Sequence, residues 1–155
     1  MMKAKSSLLD VIKNILSILF LASYFGYLLL NWSNFPERIP GHYNAAGVVD
    51  RWGDKVELLV LPIVAFAIYM VLTLIERFPK SWNTGVNVTE ENKNRVYATL
   101  KSLIVTAKLI TVVFFCYLGV MQSCATPLPS WALPLELFLV FGSIAFYIIK
   151  LFKIK

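Results

Sequence analysis

Four apolar blocks alternate with polar stretches along the 155-residue chain, at about 11–30, 56–75, 100–121 and 131–151. Each block holds roughly 20 residues, the length a helix needs to cross ~30 Å of hydrocarbon. The pattern predicts an all-α integral membrane protein, a single membrane domain over 1–155 with four transmembrane helices. Polar segments at 32–55 and 76–99 join the first two pairs of blocks. Pro62 lies near the start of the second block, where neighbouring helices can satisfy the carbonyl it frees. Pro134 falls in the first turn of the fourth, where a missing N–H costs little. The first block has no small-residue cleavage exit, so it reads as a retained anchor and not a signal peptide.

Composition strengthens this reading. The chain is 58% hydrophobic and 15% charged, against about 45–50% and about 25% in soluble domains. The net charge of +6 would suggest nucleic acid in a soluble protein, but here its placement follows the spans. Lys3, Lys5 and Lys13 precede or enter the first block. Arg38, Arg51 and Lys55 fall in the first loop; Arg77, Lys80, Lys93, Arg95 and Lys101 fall in the second. The third loop has none, and Lys150, Lys153 and Lys155 close the chain. With both termini inside, eleven basic residues lie on the inner face and three on the outer. The positive-inside rule therefore predicts an N-in/C-in protein with 32–55 outside and 76–99 in the cytoplasm. No basic–aromatic surface suited to nucleic acid remains. Trp32, Trp52, Trp82 and Trp131 fall at or near the interfaces, as an aromatic belt places them.

Cys116 and Cys124 would lie ~12 Å apart on one helix, too far for a disulfide, so both read as packing residues. No Walker, nucleophile-elbow or zincin motif occurs. One histidine and a few carboxylates make a poor zinc site, and the expectation is no metal, no cofactor and no enzyme.

The segment 32–55 carries the chemistry. It has 24 residues where a connection needs a handful, and it is dense in turn formers: Pro36, Pro40-Gly41, Asn44, Gly47, Asp50 and Gly53. That density predicts an ordered, compact loop. Its charges either pair with one another in a folded cap or form a binding surface, and the two readings are compatible. In the second loop, Thr89 is a suitable N-cap and Glu90 and Glu91 suit a helix N-terminus. The helix starting there would run into the third span with Val96, Tyr97, Leu100 and Leu103/Ile104 as its apolar stripe. Lys108 lies ~10 Å inside that span, either functional or snorkelling to the interface. Glu57 and Glu136, near the outer face, are expected beneath the first loop, within reach of Arg38, His42 or Arg51.

The string FPERIPGHYNAAGVVDRWGDK, followed by an apolar helix with Pro62, resembles a bacterial membrane family. That family is the domain of unknown function at the N-terminus of SdpI-type immunity proteins. The matching positions are Pro36, Ile39, Pro40, His42, Asn44, Gly47, Asp50, Trp52, Gly53 and Lys55. Thr89, Glu90, Glu91, Asn92, Arg95 and Tyr97 are similar to its inner segment. The resemblance covers roughly 10–105 and implies a multi-pass protein of the bacterial cytoplasmic (inner) membrane. Its SdpI-type relatives give immunity to an exported toxin and relay its presence to a cytosolic repressor; this chain is shorter. The expected function is binding, sensing or immunity through the outer loop, with the bilayer, an envelope ligand or toxin, and a cytosolic protein as partners. The alternatives are a small transporter or auxiliary subunit with Lys108, Glu136 and Glu57 along a polar path, and an outer-leaflet enzyme using His42 and Asp50.

Overall fold

The computed structural model describes residues 4–154, so Lys3 and Lys155 of the charge count lie outside the described residues. Among the described residues, four helices are long and apolar enough to cross a membrane. The first, α1 (Leu8–Asn31), starts three residues before the apolar block because of a capping box. Ser7 Oγ accepts from the Asp10 amide at 3.1 Å, and Asp10 Oδ2 accepts from the Ser7 amide at 2.9 Å. Such a box satisfies two orphan donors of the first turn reciprocally. A 3-10 turn, Lys55–Leu59, leads into α2 (Val60–Ile75). Pro62 therefore sits in the first turn of α2, where a missing N–H costs little.

Helix α3 (Lys93–Ser123) has 31 residues, about 46 Å of helix, and projects beyond the hydrocarbon. The helix does not start at Thr89 as expected: Asn92 is its N-cap, Glu90 and Glu91 lie outside it, and Thr89 and Asn92 close the turn before it. Thr89 Oγ1 accepts from the Asn92 amide at 3.3 Å, and Asn92 Oδ1 accepts from the Thr89 amide at 2.9 Å. After the loop 124–131, α4 (Ala132–Phe152) completes the set.

Helix α3 is the centre of the bundle and packs against each of the other three. Its buried face runs Val96, Thr99, Val105, Lys108, Val112, Cys116 and Gly119. This corrects the expected stripe: Val96 is in it, while Tyr97, Leu100, Leu103 and Ile104 are half-buried beside it. Apolar character does not mark the buried face because it carries Thr99 and, further on, Lys108. The main core joins Leu21, Tyr24 and Leu28 of α1, Ala65 of α2 and Val112 and Cys116 of α3 to Phe35, Ile39 and Leu58. At Gly119 the helices approach so closely that a Cβ would stand 2.0 Å from the Tyr24 hydroxyl oxygen. Apolar side chains elsewhere point outward: Leu29, Leu30 and Phe138 are 80%, 84% and 73% exposed, as lipid contact requires. Cys116 is buried in the core, but Cys124 is exposed and free, so the packing reading fails for it.

The all-α expectation is corrected in the first loop. Two strands, β1 (Arg38–Tyr43) and β2 (Val49–Asp54), pair antiparallel. Ile39 lies opposite Gly53, Pro40 opposite Trp52 and His42 opposite Arg51, with irregular register after Pro40 and after His42. Proline and glycine are tolerated in strands at such irregularities. The hairpin caps the end of the bundle where α1, α2 and the α3–α4 loop meet, its Ile39 fully buried in the core.

Candidate functional site

Most of the motif residues build the hairpin. Asn44 Oδ1 accepts from the amides of Ala46 (2.9 Å) and Val48 (3.1 Å), and its backbone pairs with Gly47 and Val48. It is the turn former, an Asx arrangement. Gly47 has φ +80°, and a Cβ there would stand 2.3 Å from the Leu128 carbonyl oxygen. Gly53 faces the Glu57 carboxylate and Gly41 the Arg51 guanidinium, so a side chain at either would displace that charged group. Over these two glycines Arg51 donates to both Glu57 oxygens (3.1 and 2.7 Å) and to the Gly41 carbonyl (2.6 Å). The Glu57 bond raises the Arg51 guanidinium further above its ordinary pKa. Lys55 Nζ donates to Glu37 at 3.2 Å and stands 5.5 Å above the Trp32 ring.

Three bonds tie the hairpin to the far side of the bundle. Leu128 N donates to Gly47 O (2.9 Å), Gln122 Nε2 to Pro40 O (2.7 Å) and Tyr43 OH to Thr126 O (3.0 Å). Burial pushes the Tyr43 phenol up to about 12, with smaller contributions from Cys124 and Tyr117. Gln122, Thr126 and Tyr43 were not among the sequence candidates; a buried amide donor near a helix end, facing a proline that keeps a free carbonyl, was the available signal.

His42, Asp50 and Trp52 remain presented to the surroundings. His42 Nδ1 lies 2.6 Å from Asp50 Oδ1, with side chains 64% and 43% exposed. A carboxylate only accepts, so Nδ1 donates and Nε2 is left for a ligand. Trp52 is 47% exposed. Beside His42 a cavity of about 240 Å³ opens against Leu61, Leu118, Leu128 and Leu133.

The other candidates are dispersed. Thr89 and Asn92 close the turn before α3, Glu90 pairs with Lys93, Arg95 is exposed in the first turn of α3, and Tyr97 lies 6.1 Å from the Trp82 ring. Lys108 is fully buried and paired with Glu76. Its Nζ also donates to Thr73 Oγ1 at 3.0 Å and stands 4.8 Å from the Tyr69 ring. Glu76, the C-cap residue of α2, was missed; it is the carboxylate at the end of the second span that faces the same bundle end as Lys108. Glu57 meets Arg51 as expected. Glu136 does not reach Arg38, His42 or Arg51. It lines a groove of about 390 Å³ between α3 and α4, with Leu109, Val113, Leu135 and Leu139. Lys108, Glu136 and Glu57 thus belong to three separate environments.

Four membrane-length helices with a hairpin cap define the chain as a multi-pass membrane protein. Residues 19–66, which include the whole hairpin, match the family model "Domain of unknown function (DUF1648)". A protein of Archaeoglobus fulgidus described as "Uncharacterized protein" is 40% identical over 76 residues, 44% of this chain. The match spans 42% of that relative's length. No solved structure matches significantly.

Proposed function

We propose that this is an N-in/C-in protein of the bacterial cytoplasmic membrane that uses its hairpin to recognise a ligand in the envelope. The supporting observation is the exposed His42–Asp50 pair at 2.6 Å on a hairpin whose other motif residues, Trp52 apart, are spent on its own fold. The imidazole is oriented by Asp50 and stands beside a leucine-lined cavity, so the ligand pairs a polar group with an apolar one. Immunity to an exported toxin, as in SdpI-type proteins, is one form such recognition takes. Catalysis would need a reacting group beside His42, and leucines dominate that cavity. Transport along Lys108, Glu136 and Glu57 would need them on one path.

The test is quantitative co-purification from native membranes of wild type, His42→Ala and Asp50→Ala. Both variants are expected to lose the same bound component at unchanged expression. Identical bound sets in all three would overturn the reading.

A further inference from the structure

At the bundle end opposite the hairpin, α1, α3 and α4 enclose a second cavity of about 370 Å³. Its polar groups come from all three helices. Asp10 is 1% exposed; Oδ2 accepts from the Ser7 amide and from Ser102 Oγ (3.1 Å), while Oδ1 is buried without a partner. Lys13 Nζ donates to Thr106 Oγ1 (2.7 Å) and Tyr147 OH (3.4 Å). An ammonium carries three donors, so one is left. Lys150 lines the same cavity, exposed, with no hydrogen bond or ion pair among the described residues. Leu9 and Phe146, 64% and 60% exposed, flank it with apolar surface.

A buried carboxylate oxygen without a donor is costly, and native structures rarely keep one. A donor placed in the cavity would satisfy that oxygen. Beside it, the spare donor of Lys13 and the free Lys150 call for an anion. The apolar flank and the position at helix ends call for an acyl-chain neighbour, as in basic pockets between spans that hold lipid headgroups. We propose that this cavity binds a phospholipid whose headgroup carries a primary ammonium. The ammonium donates to Asp10 Oδ1, the phosphate accepts from Lys13 and Lys150, and the acyl chains lie along Leu9 and Phe146. The site is independent of the hairpin.

The experiment measures retention of short-chain phosphatidylethanolamine, phosphatidylcholine and phosphatidylglycerol by the detergent-purified full chain, using native mass spectrometry. Water-soluble phosphoethanolamine is a fourth arm. Wild type is expected to retain the ethanolamine lipid about tenfold over the choline lipid, which lacks N–H donors. Asp10→Asn, which keeps an acceptor but removes the charge, is expected to reduce that preference severalfold. Lys150→Gln, at an exposed position that leaves the fold intact, is expected to weaken the ethanolamine lipid about fivefold. Equal retention of the ethanolamine and choline lipids by wild type would overturn the proposal. So would an unchanged preference in folded Asp10→Asn, or full strength in Lys150→Gln. Phosphoethanolamine binding as strongly as the lipid would overturn the assignment to a lipid.

Discussion

Replacing Glu76 by glutamine removes the countercharge of the enclosed Lys108 ammonium and leaves it a neutral amide, Thr73 and the Tyr69 ring. Lys108 is 0% exposed, and the Glu76 side chain is 9% exposed. Two unit charges about 4 Å apart attract by ~4 kcal/mol at an effective dielectric near 20, and removing one member of a buried pair costs about 3–5 kcal/mol. Glu76→Gln is therefore expected to cost about 3–5 kcal/mol. Lys108→Met should cost less, because Glu76 keeps some solvent contact at the end of α2 while Lys108 has none. A carboxylate at a helix C-terminus is itself disfavoured by the helix dipole, so Glu76 owes its place to Lys108. In the double variant no charge is stranded, and stability should return to within about 1 kcal/mol of wild type. The assay is reversible unfolding in mixed micelles with rising denaturing detergent, followed by tryptophan fluorescence. A Glu76→Gln cost below about 1 kcal/mol, or single costs that simply add in the double variant, would refute the reasoning.

The two free cysteines report topology without engineering: a membrane-impermeant maleimide should label exposed Cys124 in intact cells and spare buried Cys116. Labelling of Cys124 only after lysis would place the hairpin end inside. Gly47→Ala adds a Cβ 2.3 Å from the Leu128 carbonyl oxygen at φ +80°. It should cost about 1–3 kcal/mol and raise amide exchange in 38–54; unchanged exchange would count against the docked hairpin. Gly119→Ala, against the Tyr24 hydroxyl, should cost about 1–3 kcal/mol. Gly142→Ala, with nothing within 4 Å of the added carbon, should be neutral or better, and equal effects in the same unfolding assay would contradict the α1–α3 approach.

The spans were legible because lipid demands unbroken apolar runs, and Ala132–Phe152 matches its block to within a residue at each end. The ends were less legible where polar caps decide them. Ser7 and Asp10 spell a capping box, yet hydropathy begins α1 only after them. The strands escaped notice because RIPGHY and VDRWGD do not alternate cleanly and carry proline and glycine. Their pairing is enforced by tertiary contacts, with Ile39 in the core and Gln122 on the Pro40 carbonyl. In the candidate site, the His42–Asp50 pairing and the Arg51–Glu57 reach were readable from residue type and proximity. The partner of Lys108 was not, because searching near the opposite face led to Glu136 and overlooked Glu76.

The hairpin is covalently continuous with α1 and α2, yet Gln122 grips its strand at Pro40, and Thr126 accepts from Tyr43. His42 lies between those two fixed points. The strand is thus a crossbar mounted on the end of α3 at Gln122 and on the loop that follows it at Thr126, so a rotation or axial slide of that helix is transmitted to the imidazole between the mounts. Because α3 extends to the opposite end of the bundle, both faces of the membrane share one rigid rod.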